Sequence, residues 1–259
     1  MRRDLARSGG LAWQLAVRDI RSQYRQAALG LLWAFILPLA NTAAWLFIQR
    51  AGIVKLAPTD LPYPVYVFTG TVLWAIFMDA VNAPLQQTIA AKPMLAKINF
   101  PREALILSGI LQALFNAAVK LAVLLAALLV LGVNPGPAVL WVPLAVAALI
   151  LAGTTLGLLV TPVGILYTDV GKGLPLVLQF AMYVSPVVFP PPAGGWGAVV
   201  FALNPLTPLL LTARDLLVGS APAQVLQSVA VSAALLVALG GLWLVYRLAM
   251  PILIERMSA

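Results

Sequence analysis

The sequence predicts an all-α polytopic membrane protein. It has six transmembrane helices, an N-terminal amphipathic interface helix, and a re-entrant outer helical hairpin between the fifth and sixth spans. Three observations predict this. Only 9% of the 259 residues are charged, against roughly 25% in a soluble domain, so there is too little polar material to cover a globule in water. Several stretches reach the about 20 apolar residues that a spanning helix needs. These stretches are continuous rather than alternating in polarity, which argues against a β-barrel. The whole chain, 1–259, reads as one transmembrane domain.

The elements follow in order. Residues 10–26 are amphipathic, with Trp13, Val17, Ile20 and Tyr24 on one helical face and Gln14, Arg18, Arg21 and Arg25 opposite. Such a helix lies in the membrane interface with its basic side toward headgroups or a partner. The first span is expected near Ala27–Ile48. That position is too far in, and the run too long, for a cleavable signal. The second span follows at Val65–Ala83, then the segment 84–101, which contains "AKPMLAKINFP". The third runs near Ala104–Leu131 and closes at "GVNPGP". The fourth, Ala138–Leu166, carries Gly153 and Gly157 in a small-xxx-small spacing for close helix packing, and Pro162 allows a bend. "YTDVGKG" is read as a loop. The short fifth span, Leu174–Phe189, ends at three prolines, and the last span is Ala223–Leu248. Between them, within 190–222, lie two apolar pieces split by "NPLTP", neither long enough to cross.

Charge decides how to count that region. With six spans both termini share one side, and most Lys and Arg fall there, leaving Arg50, Lys55 and Arg214 opposite. A seventh span would move Arg256 and the C-terminus across. The positive-inside rule favours six spans, cytoplasmic termini and a re-entrant hairpin. Irregular backbone at that depth requires cover by protein or a water-filled cavity.

Some chemistry has no residues to carry it. The chain has no cysteine and no histidine, which removes thiol chemistry and Ser-His-Asp triads. The pattern G-x-x-x-x-G-K-[ST] is absent, so no P-loop binds nucleotide here. No metal cluster or carboxylate pair shows by spacing. The net charge of +8 is read as basic cytoplasmic loops, not a nucleic-acid surface. Two ionisable residues fall inside spans, Asp79 near the end of the second and Lys120 well within the third. That difference in depth argues against their pairing. Gln112, Asn116 and Lys120 recur at i, i+4, i+8, giving one polar face: either the lining of a hydrophilic path or an interhelical hydrogen-bond seam.

Four stretches then converge in order: "RDIRSQYRQAALGLLWAFILPL", "LAKINFPRE", "YTDVGKGLPLVLQFAMYVSPVVF" and "ALNPLTPLLLTARDLLVG". Together they resemble the membrane subunit of polysaccharide-exporting ABC transporters of the ABC-2 type, which include O-antigen, teichoic-acid and capsule exporters. The resemblance spans about Trp13 to Arg256. It implies a bacterial cytoplasmic-membrane permease that forms a homodimer and binds two copies of a separate cytosolic ATPase. ATP and Mg belong to that partner, and this chain is not itself an enzyme. It implies that 84–101 holds the coupling element, with Leu85, Ile89, Lys92, Leu95, Lys97, Ile98, Phe100 and Arg102 toward the ATPase. It also implies that the interface helix touches the ATPase through Arg18, Arg21, Tyr24 and Arg25.

A sugar polymer, expected on a lipid carrier, needs hydroxyl partners and flat apolar faces. Phe68, Trp74, Phe77, Phe180 and Tyr183 are the aromatic pathway candidates beside Gln112, Asn116 and Lys120. Three alternatives stand beside this reading. A small-molecule efflux permease would need only a closed apolar pocket. An intramembrane polyprenyl-phosphate sugar transferase would need loop carboxylates that are nearly missing. A passive channel would have little use for a docking segment.

Overall fold

The computed structural model describes residues 2–25, 33–52, 61–95 and 103–258. Among them every regular element is a helix. α1 spans Arg2–Arg25, α2 Trp33–Arg50, α3 Tyr63–Leu95, α4 Glu103–Val130, α5 Val142–Leu166, α6 Thr168–Ala181, α7 Gly195–Leu203, α8 Leu206–Val218 and α9 Val225–Ser258. Four helices in these residues are long and apolar enough to cross a bilayer, over Tyr63–Lys92, Glu103–Val130, Gly136–Leu166 and Val225–Met250; α7 and α8 form a fifth candidate, bent by 84°. The expected first span begins in residues 27–32, outside the described ones. The expected fifth span, 174–189, is not one long helix: α6 passes into a 3₁₀ turn at Met182–Val184 and then irregular backbone.

α3 is the axis of the molecule, packing against α2, α4 and α5. Its contact with α5 is close because α5 offers glycines. A Cβ on Gly153 would lie 2.6 Å from Ala80 Cβ and 2.7 Å from the Phe77 carbonyl; one on Gly157 would collide with the Val81 carbonyl. The Gly153/Gly157 pair therefore does what its spacing predicts, and Gly164 repeats it against Leu85.

Pro84 does not end α3, although a proline inside a helix normally removes a hydrogen bond and clashes with the preceding turn. Its ring packs 3.0 Å from where a Gly157 Cβ would stand, and Thr88 Oγ1 donates to its carbonyl at 2.7 Å. α3 thus runs 12 residues beyond the expected end of the span at Ala83, carrying the first part of 84–101 as helix. "YTDVGKG" is likewise not a loop. Only Tyr167 is extended (φ −119°, ψ 108°), and Thr168 onward is already α6.

α1 begins at Arg2, earlier than residue 10, and packs through a side that the amphipathic pattern does not single out. Ala12, Leu15 and Ala16 are buried, while Trp13 is 62% exposed. The small alanines let α1 approach α4, against which it packs. The Trp13 face stays free for lipid.

Candidate functional site

Two polar places interrupt this apolar bundle. The first is an open cleft of about 430 Å³ between α1, α3 and α4, lined by Asp19, Ser22, Gln23, Asp79, Asn82, Ala83, Gln86, Gln112, Ala113 and Asn116. Its floor is an ion pair, with Lys120 Nζ 2.7 Å from Asp79 Oδ2 and 3.3 Å from the Ala75 carbonyl. The sequence argued against this pair on depth. The longer α3 removes the objection. Asp79 stands about 24 Å before the end of α3 at Leu95, and Lys120 about 25 Å after the start of α4 at Glu103, so two consecutive antiparallel helices bring them level.

A chain of side-chain hydrogen bonds crosses the cleft. Gln87 Nε2 donates to Asp19 Oδ2 at 3.1 Å and to Gln112 Oε1 at 2.8 Å, and Gln112 Nε2 donates to Gln23 Oε1 at 3.3 Å. Asp19 is also paired with Arg18 at 2.8 Å. α1 is thereby tied to α3 and α4. Gln112 and Asn116 line this cleft, and Lys120, one turn further on the same face, holds the lining Asp79. Gln112 also forms an interhelical hydrogen-bond seam.

The second place is the hairpin. Arg214 in α8 is 1% exposed. Its guanidinium stacks 3.7 Å from the Tyr66 ring centroid. Nε donates to Thr69 Oγ1 at 3.3 Å, and Nη2 donates to the Val187 carbonyl at 3.1 Å. Tyr66 Oη donates toward the Phe189 and Pro186 carbonyls at 3.3 and 3.4 Å. A Cβ on Gly70 would collide with both Arg214 Nη2 and the Val187 carbonyl, so only glycine fits there. Backbone amides and carbonyls outside a helix must find partners in a bilayer, and the irregular stretch after Met182 finds them in these side chains. Asn204, at the break between α7 and α8, donates to the Val184 carbonyl at 3.0 Å and to Ser185 Oγ at 2.8 Å; its Oδ1 accepts from the Leu206 amide at 2.9 Å. Sequence reasoning placed Arg214 merely on the outer side. The signal that could have found the clasp was a lone arginine amid apolar residues, beside a proline-rich break.

The remaining predicted residues divide by exposure. Phe68, Trp74 and Phe77 are buried within the protomer core, where they pack rather than line an open surface. Phe180 is exposed, and Tyr183 is half-buried edge-on to Trp45 at 5.9 Å. In the segment 84–101 Leu85 is wholly buried against Gly164 and offers no surface, whereas Ile89 and Lys92 are exposed. Leu95 ends α3. Lys97, Ile98, Phe100 and Arg102 lie outside the described residues. Arg18 and Arg21 are exposed on α1, and Tyr24 and Arg25 complete its last turn.

A family model described as "ABC-2 type transporter" matches residues 11–218. An O-antigen export system permease protein RfbA of Klebsiella pneumoniae is 23% identical over 204 residues, 77% of this chain and 76% of its own length. Its namesake in Myxococcus xanthus is 22% identical over 211 residues, 80% of each chain. The polysialic acid transport protein KpsM of Escherichia coli is 24% identical over 208 residues, 78% of each.

Proposed function

The chain belongs to the ABC-2 type transporter family, and on that premise we propose that it is the membrane permease of an ATP-driven exporter of a polysaccharide. The observation that carries the substrate class is the set of relatives. Over about four-fifths of their length, proteins named for O-antigen export and polysialic acid transport align with this chain. The cargo travels on a lipid carrier. ATP is hydrolysed in a separate cytosolic ATPase, and two permease copies with two ATPase copies form the working unit in the bacterial cytoplasmic membrane. The spans number six, with the first starting in 27–32 and the fifth built on α6. Both termini face the cytoplasm, and α7–α8 are re-entrant from the outside.

The coupling role of 84–101 is supported by α3 itself, which carries Ile89 and Lys92 out of the core on a continuous helix. The exposed apolar side of α6, with Leu176, Val177 and Phe180 opposite buried Leu174 and Leu178, supports Phe180 as a surface residue for the second copy or the polymer. Deleting the gene in its host and staining the cell surface for glycan tests the reading. Glycan retained inside the cell is expected, and an unchanged surface would refute it. For the motor contact, Leu95→Asp with Ile98→Asp should abolish co-purification of the ATPase; an intact complex would remove the coupling assignment.

A further inference from the structure

We propose that the cleft between α1, α3 and α4 is a binding site for an uncharged sugar ring. The assignment extends the polysaccharide reading above and rests on it.

Charge narrows the ligand first. Both carboxylates in the cleft already have cations, Asp19 with Arg18 and Asp79 with Lys120, each within 2.8 Å. Among the described residues that line the cleft, a phosphate would meet two carboxylates and no uncommitted cation. An ammonium group would have to displace an existing ion pair. A wholly apolar ligand would cover the aspartates and carboxamides of the wall without offering them partners.

Five of the lining residues, Gln23, Asn82, Gln86, Gln112 and Asn116, carry a carboxamide. Each carboxamide offers two donors and an acceptor, the combination that a hydroxyl group, itself donor and acceptor, can satisfy. Asn82 spends its amide nitrogen on the Met78 carbonyl at 2.8 Å, which leaves its Oδ1 outside that bond. Gln86 is exposed at the mouth. The Gln87–Gln112–Gln23 chain fixes the opposite amides in place, so they are oriented before a ligand arrives. Preorganised donors and acceptors cost less ordering on binding. The volume, about 430 Å³, is at the small end of ligand sites, roughly 300–1,000 Å³. That suits a sugar unit, not a long polymer.

Two sources could present such a ring, the exported chain or a glycolipid headgroup in the surrounding bilayer. The chain has no cysteine, so Ala83→Cys supplies a single reporter in the cleft wall. The variant is placed in phospholipid nanodiscs and its maleimide labelling rate measured with glucose, galactose, mannose, rhamnose or N-acetylglucosamine. Inorganic phosphate and choline serve as charged controls, and glycerol as a hydroxylated one. At least one sugar should slow labelling saturably at millimolar concentration while the controls do not. Gln86→Ala and, separately, Asn82→Ala should raise the half-protecting concentration about tenfold, the loss of one hydrogen bond. Protection by glucosyl diacylglycerol built into the nanodisc, with none from free sugars, assigns the ring to a headgroup. No protection from any sugar or glycolipid, or equal protection by glycerol, overturns the site. Neither result bears on export itself, which the surface-glycan assay decides separately.

Discussion

Replacing Arg214 with lysine keeps a charge in the hairpin and removes its planar fork. The wild-type guanidinium meets three partners at once: Thr69 at 3.3 Å, the Val187 carbonyl at 3.1 Å and the Tyr66 ring at 3.7 Å. A lysine ammonium is a single point on a flexible stem and cannot hold all three. Losing one charge-assisted hydrogen bond costs roughly 1.5–3 kcal/mol. Taking roughly 2 kcal/mol, the population with α8 undocked rises roughly 30-fold, at tenfold per 1.4 kcal/mol. Methionine is the control. It leaves the Val187 carbonyl unpartnered, about 1–3 kcal/mol, and forfeits the cation–π contact, about 2 kcal/mol when desolvated. It also relieves the burial of a charge, which itself costs several kcal/mol. Arg214→Met should therefore be no worse than Arg214→Lys, contrary to chemical similarity. The readout is local opening. Thr212 is buried and its hydroxyl has no hydrogen-bond partner, so Thr212→Cys places a thiol on α8 at little cost. Maleimide labelling of that thiol should accelerate roughly 30-fold in Arg214→Lys, the same population shift read as a rate. Labelling at the wild-type rate would show that the fork does not hold the hairpin.

Three further outcomes follow from the packing. Gly157→Val should lower thermal stability by about 1–3 kcal/mol through overpacking against Val81 and Pro84, while Gly173→Ala, with open space around it, should leave the melting temperature unchanged; equal effects would refute the α3–α5 contact. Asp79→Ala and Lys120→Ala should each destabilise, and the double variant should recover part of the loss. A double-mutant cycle should give a coupling of roughly 1–2 kcal/mol, modest because Asp79 is about one-third exposed, and zero coupling would deny the pair. Ile89→Asp should leave a folded permease that binds its ATPase poorly, whereas Leu85→Asp should fail to fold, since it buries a charge in the core; size-exclusion profiles and co-purification separate the two.

Helical class, the glycine contact and the polar face of α4 were legible in the sequence, because each rests on a spacing that one helix imposes on its own residues. Depth across helices was not legible. The Asp79–Lys120 pair was missed because Pro84 looked like a terminus, and its tolerance depends on a glycine more than 70 residues away. The packing side of α1 was not legible for a related reason: close approach to α4 selects the small Ala12 and Ala16, which give little hydrophobic signal of their own. Leu85 looked like one more apolar residue in a basic segment until α5 was set against it. Arg214 could be read only as a charge on one side of the membrane, since its partners come from α3 and from irregular backbone around Val187.

α3 also has the proportions of a seesaw. Its contact with the α5 glycines, at Ala80 and Val81, lies about 22 Å from Leu95 at one end and about 21 Å from Tyr66 at the other. One arm leads to the segment assigned to the motor, and the other carries the ring on which Arg214 rests. For a rigid helix pivoting on that contact, a displacement at Leu95 is matched by an equal and opposite one at Tyr66. A tilt of about three degrees moves each tip by about 1 Å on those arms, and the ring under Arg214 moves with it.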